Sequence, residues 1–248
     1  MKIEYNGLCD KGLKREINQD AVFMGTEGSR ALFVVADGMG GHSHGEKASR
    51  GVTEEFRQWW NSFHIEDYDG NFNAMVCSLR ERIEFANQQI FKEYNQAGIC
   101  GTTMVALFIY QNQYCIFSSG DSRIYHLRRW SMKQITVDDV WENQPEIKSS
   151  FRKSVLKAHP NYGKLLHAIG TKEKVILTVK TDVWLDGDRF LLCSDGLYKM
   201  CNFRDIKYFI KAYKGRRGGN SLMEEILQTV YERGAKDNVS VVLALCRE

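Results

Sequence analysis

The chain has 248 residues, of which 43% are hydrophobic and 26% charged, and its formal net charge is +3. That length suffices for one domain with a substantial core, and so small a positive charge excludes a protein coated for nucleic-acid binding. No apolar stretch approaches the roughly 20 residues of a membrane-spanning helix, the start MKIEYNGLCDKG lacks an apolar signal core, and the odd set of seven cysteines contains no C-x-x-C pair. A cytoplasmic protein with reduced thiols, without zinc and without membrane insertion is expected.

Early in the chain, Asp20 of REINQDAVF precedes a short apolar run. The apolar run 33–36 reads as a buried strand, and Asp37 is the first polar residue after it. Gly38, Gly40, Gly41 and Gly45 follow, which lets the backbone turn sharply or approach another group closely. A bare phosphate in this loop would be repelled by Asp37, whereas a metal ion would take the carboxylate as a ligand. Gly40 and Gly45 have the separation of a nucleotide-binding loop, but Glu46 stands where that loop has its lysine.

Apolar residues at helical spacing predict a helix over 45–63, with Ala48, Val52, Phe56, Trp59, Trp60 and Phe63 on one face. A second helix over 72–94, with Leu79, Ile83 and Ile90 inward, packs on it as an antiparallel pair. The period then shortens. TTMVALFIY and QYCIFSS flank a Gln111-Asn112 turn, and IYHL with KQIT forms another antiparallel pair. Residues 138–161, bracketed by Pro145 and Pro160, read as a loop with one short helix. Residues 174–194 predict a strand pair joined at Asp186-Gly187, a hairpin turn rather than a calcium loop. The basic stretch KAYKGRRGGN at 211–220 reads as a solvated loop between two helices. Ser221 with Glu224 marks a capping-box start for the second of these, and VSVVLAL is a final buried strand. Helix pairs among hairpin-linked strands place the fold in the α+β class, as a single domain over 1–248.

Four aspartates share one context, beside an apolar strand with small or polar neighbours: VVADG at Asp37, FSSGDSR at Asp121, LLCSDG at Asp195 and AKDNVSVVL at Asp237. Asp20 makes a fifth. Carboxylates gathered at strand ends repel one another unless cations lie between them, and an all-oxygen ligand set suits Mg²⁺ or Mn²⁺.

Taken in order, RxxNQD at 15–20, VVADGMGGHxxGExAS at 34–49, GTT at 101–103, SGDSRIY at 119–125, LLCSDGL at 191–197 and KDNVSVVL at 236–243 resemble the successive motifs of the metal-dependent protein phosphatases of the PP2C (PPM) type, in the bacterial form. The resemblance implies a four-layer α-β-β-α sandwich of two antiparallel sheets flanked by helix pairs, with two Mn²⁺ or Mg²⁺ at one edge and phosphoserine or phosphothreonine proteins as substrates. It implies that Asp37 bridges both metals, with the Gly38 carbonyl on one of them. Asp195 and Asp237 then hold the first metal and Asp20 serves the second, while Asp121 with Asp195 forms a third, weaker site. Arg15 binds the substrate phosphate, a role suited to a guanidinium that pairs two phosphate oxygens at once. The sequence departs from the pattern at Gln19, where many relatives have glutamate, and at TVDDV, where an aspartate-histidine-serine run is usual.

Two ions sharing one water, aimed for in-line attack on phosphorus, require no protein nucleophile. The leaving alkoxide requires a proton, for which His42 is the candidate and His44 the second choice, the alternative being that both are solvated loop residues. His126, His159 and His167 read as structural or surface residues. In the resemblance, segment 138–161 is a flap beside the active centre. The expected partners of this expected monomer are phosphorylated proteins and a cognate serine/threonine kinase. The alternative function is a phosphatase-fold module that binds phosphoproteins without turning them over.

Overall fold

The computed structural model describes residues 1–40, 44–94 and 100–248. In chain order its strands are β1 (Lys2–Asp10), β2 (Asp20–Glu27), β3 (Arg30–Gly40), β4 (Cys100–Tyr110), β5 (Gln113–Ser119), β6 (Arg123–Arg128), β7 (Ser131–Gln134), β8 (Thr178–Val183), β9 (Arg189–Cys193) and β10 (Val239–Arg247). Among the described residues they form two five-stranded sheets, ordered β1-β10-β9-β6-β7 and β2-β3-β4-β5-β8, and neighbouring strands run antiparallel. The sheets stack face to face. Phe33, Val35, Val105 and Leu107 of one meet Ile124, Phe190, Leu192 and Val242 of the other. Their alternate neighbours Leu32, Val34, Ala106 and Phe108 face outward onto helices instead. Burial on both faces explains why β3 and β4 read as unbroken apolar runs without a polar side.

Helices α1 (Gly45–Asn61) and α2 (Phe72–Tyr94) cover the second sheet, with Val52, Phe56, Trp59, Leu79, Ile83 and Ile90 in the buried cluster. After β7 come α3 (Pro145–Ser150) and α4 (Lys153–Ala158), and after β9 come α5 (Asp195–Tyr198), α6 (Phe203–Ala212) and α7 (Gly219–Glu232). The last two cover the first sheet through Ile206, Phe209, Ile210, Leu222, Ile226 and Val230. The four expected layers are all present.

Three local expectations are corrected. First, β8 and β9 are not a hairpin: β8 pairs with β5 in one sheet, while β9 pairs with β6 and β10 in the other. Buried Trp184 lies at the crossing, packed between the sheets, and its indole N–H donates to the Gln111 carbonyl (2.6 Å). Second, α7 begins at Gly219 with left-handed Gly218 as its N-cap, so Ser221 lies inside the first turn. A capping box does exist, on α6, where Asn202 and Asp205 satisfy each other's backbone N–H groups. Third, segment 138–161 holds a short 3-10 turn (Trp141–Asn143) plus α3 and α4, not one helix.

Asp188 secures the crossing. Nearly fully buried, it accepts from Arg128 (Nη2 2.8 Å, Nε 3.0 Å) and from the Leu185 N–H (2.9 Å), with His126 Nε2 3.0 Å away. Burial works against its charge, but these donors hold its pKa below the ordinary carboxylate value. A depressed pKa stabilises the fold above the ordinary value and loses that contribution as pH falls through the depressed one. Asp188→Ala strands the Arg128 and His126 donors, and chemical denaturation is expected to show a loss of about 3 kcal/mol; a loss below about 1 kcal/mol would contradict the role given to this ion pair.

Candidate metal centre

The β2–β3 ladder sets Asp20 directly opposite Asp37, and Thr103 of β4 opposite Asp37 on the other side. Two like charges in that register destabilise a bare sheet. Asp121 stands between β5 and β6, Asp195 directly after β9 and Asp237 just before β10. Both sheets therefore contribute carboxylates, and they are joined here: the Ser194 hydroxyl donates to Asp20 Oδ2 (2.7 Å) and the Gln19 N–H to Asn238 Oδ1 (2.9 Å). Asn238 also donates to the Lys11 (2.8 Å) and Ile17 (3.0 Å) carbonyls, which fixes the approach to β2.

Glycine is required here for close approach rather than for an unusual turn. A Cβ on Gly38 would lie 2.2 Å from the Gly45 carbonyl oxygen and 2.5 Å from that of Gln19, and neither Gly38 nor Gly45 has a positive φ. One on Gly196, beside Asp195, would lie 1.9 Å from the Asn238 carbonyl oxygen.

The electrostatics follow from this crowding. Burial, and then the charges of Asp195 and Asp237, push Asp20 up to about 7 against the opposing hydrogen bond from Ser194. Burial raises Asp37 well above the ordinary carboxylate value, with further contributions from Asp20, Asp195, Asp121 and Asp237. Asp121 is raised by burial and by Asp195, against the Tyr198 hydroxyl that donates to its Oδ2 (2.9 Å). The five sequence-predicted aspartates thus share one field.

The side chains do not close on a single point: among the described residues no group of three or more His, Cys, Asp or Glu is arranged to hold an ion. Protein cations engage two of these carboxylates: Arg15 Nη2 holds Asp237 Oδ2 at 2.7 Å and the Lys199 ammonium is paired with Asp195. Asp20 Oδ1 and Asp195 Oδ1 meanwhile stay buried without a hydrogen-bond partner. Buried acceptors left unpaired are costly, and hard anionic oxygens fit a divalent cation in kind. The expected third site fits less well, because Tyr198 engages Asp121 and Lys199 engages Asp195.

His42 lies outside the described residues. His44 immediately precedes α1, with its ring 5.7 Å from that of Tyr94. His126 is packed on Phe190, and His159 on Trp141, as structural residues. Several supporting residues were not singled out from the sequence: Ser194, Asn238, Tyr198, Lys199 and the Arg123–Asp138 pair. Arg123 forks onto Asp138 (2.6–3.1 Å) with its guanidinium 3.5 Å from the Tyr198 ring centre, which positions the hydroxyl that meets Asp121. Asp139 exchanges two 3.0 Å hydrogen bonds with the Gly120 backbone, fastening the turn that carries Asp121. The available signal was TVDDV itself, whose paired acids after a strand have partners in the preceding GDSR.

A family profile described as protein phosphatase 2C matches residues 13–244. The chain belongs to the protein phosphatase 2C family. It is 30% identical over 246 residues to the serine/threonine protein phosphatase PstP of Mycobacterium tuberculosis, covering 98% of this chain but only 45% of that protein's length. It is 28% identical over 250 residues to the protein phosphatase PhpP of Streptococcus pneumoniae, covering 99% and 98% of the two chains. The catalytic domain of a PstP in complex with two manganese ions superposes with a TM-score of 0.81 at 28% identity, over 99% of each chain. The four-layer arrangement is thus that of solved members of the protein phosphatase 2C family.

Because the pKa of Asp20 is raised in the folded state, its ionisation destabilises the fold. That penalty accumulates as pH rises from about 4 to about 7 and is constant above. In protein stripped of divalent ions, Asp20→Asn is expected to raise the melting temperature by a few degrees at pH 8 and hardly at pH 4.5. An equal change at both pH values would show that Asp20 is not held in this field.

Proposed function

We propose that this protein phosphatase 2C member hydrolyses phosphoserine and phosphothreonine esters in proteins with the aid of two divalent ions, Mn²⁺ or Mg²⁺. The observation that carries the reading is the gathering of Asp20, Asp37, Asp195 and Asp237 from two sheets into one field, with buried oxygens left unpaired. The two manganese ions of the related PstP domain support it.

In this reading Asp37 and the Gly38 carbonyl would serve both ions, Asp195 and Asp237 would hold the first, and Asp20 would serve the second. When bound, the ions would activate a water and offset the charge of the phosphoryl oxygens. The chain's own residues do the rest. Arg15 is half exposed, so its bond to Asp237 is a surface ion pair worth no more than about 1 kcal/mol, and it exchanges readily for a phosphate. His42, five residues past Asp37, is proposed to return the proton to the leaving alkoxide. A third, weaker ion at Asp121 and Asp195 requires that Lys199 be displaced. The chain is proposed to act as a monomer and a single domain, against a cognate serine/threonine kinase in the cytoplasm. Among the described residues no helix is long and apolar enough to cross a membrane.

Hydrolysis of a phosphothreonine peptide is expected with Mn²⁺, to vanish with EDTA, and to fall by more than about a hundredfold in Asp37→Asn. Hydrolysis indifferent to chelation would refute the metal-dependent reading, and no hydrolysis with either ion would favour a binding module. In equilibrium binding at millimolar Mn²⁺, Lys199→Gln is expected to take up one ion more than the parent. Unchanged stoichiometry would remove Lys199 as the competitor.

A further inference from the structure

Residues 142–164 carry Lys148, Arg152, Lys153, Lys157 and Lys164 against Glu142 and Glu146, a surplus of three positive charges that equals the net charge of the whole chain. Here α3 and α4 frame a half-open cavity of about 400 Å³. Leu156 is its buried apolar base and Phe151 and Tyr162 are partly exposed walls, while Lys148, Lys153 and Lys157 stand around it. Among the described residues none of these lysines has an ion-pair partner. The one acid that lines the cavity, Glu142, is already engaged, accepting the Gly163 N–H at 2.9 Å.

The cavity is braced on the catalytic edge. Trp141 stacks its ring on His159 (4.1 Å), the Trp141 backbone N–H donates to the Lys164 carbonyl (2.9 Å), and the Leu166 backbone N–H donates to the Asp139 carbonyl (2.7 Å). Asn143 donates to the Asp138 carbonyl (2.9 Å). Asp138 and Asp139 are the pair that positions Tyr198 and fastens the turn of Asp121, so one short stretch carries both the cavity and part of the candidate metal centre.

Resting on the phosphatase reading, we propose that this cavity docks an acidic stretch of the phosphoprotein substrate. One apolar side chain enters between Phe151, Leu156 and Tyr162, and flanking carboxylates meet the three lysines. Charge complementarity selects an acidic partner. A half-open concavity of this volume takes one or two side chains, which favours a peptide over a flat anionic membrane.

A fluorescein-labelled, unphosphorylated peptide with aspartates around a central leucine, titrated with the full chain, tests docking apart from catalysis. Lys148→Glu/Lys153→Glu/Lys157→Glu is expected to weaken its binding by at least about tenfold, with the triple glutamine variant in between. On a phosphothreonine peptide bearing the same flank, kcat/KM is expected to fall by a similar factor through KM. A peptide with a lysine flank is expected to lose nothing, or to gain from the charge reversal, and p-nitrophenyl phosphate to be unaffected. Unchanged labelled-peptide affinity, or equal losses on acidic and basic flanks, would overturn the proposal, as would a peptide that does not bind while phosphatidylserine vesicles do so through these lysines. Should no ester be hydrolysed with Mn²⁺, the phosphatase reading fails, and the labelled-peptide affinity still decides whether the cavity recognises acidic chains.

Discussion

Burial of like charges governs this molecule. Asp20 and Asp37 confront each other across two paired strands, and Asp195, Asp121 and Asp237 add their fields from the neighbouring strand ends. A fold selected for stability alone would place apolar or small residues at such positions. The chain instead invests three glycine-dependent close contacts, the Ser194 hydroxyl and the Asn238 side chain in holding the backbone around them. Arg15 and Lys199 balance only part of the charge, and they reach it from exposed positions.

This explains how fold and site depend on each other. The two sheets are glued by the apolar layer between Phe33 and Phe190, but their relative register at one edge is fixed by polar bonds that cross from β2 to the ends of β9 and β10. A shift there would separate the carboxylates and relieve their repulsion. The buried Asp188 cluster secures the crossing from β8 to β9 with a charge that is fully compensated, unlike those of the candidate metal centre. The compensated Asp188 thus secures the fold, whereas the raised Asp20 and Asp37 lie in the candidate metal centre.

Much of this was legible in the sequence. The apolar periodicities of α1 and α2 and the strands on either side of Gln111-Asn112 reflect local burial patterns, and the structure reproduces them. The five aspartates were recognisable because each ends or begins an apolar run, a pattern a strand-end carboxylate leaves in any sequence. What stayed hidden depends on distant pairing. The stretch 174–194 has the composition of a hairpin, but its strands pair in different sheets, with Trp184 packed between them. Ser221 and Glu224 have the right spacing for a cap, but the chain has already turned helical at Gly219. Tyr198 and Asp138 acquire their meaning only through Arg123, which no linear spacing reveals.

The most direct test of the account is calorimetric titration of Mn²⁺ into the stripped protein at about pH 6.5, in two buffers of different ionisation enthalpy, because an ion that binds protonated carboxylates must release their protons. The account predicts binding accompanied by net proton release, smaller at about pH 8.5, where Asp20 is already ionised in the free protein, than at pH 6.5. Absence of binding, or binding with no proton released at the lower pH, would contradict it.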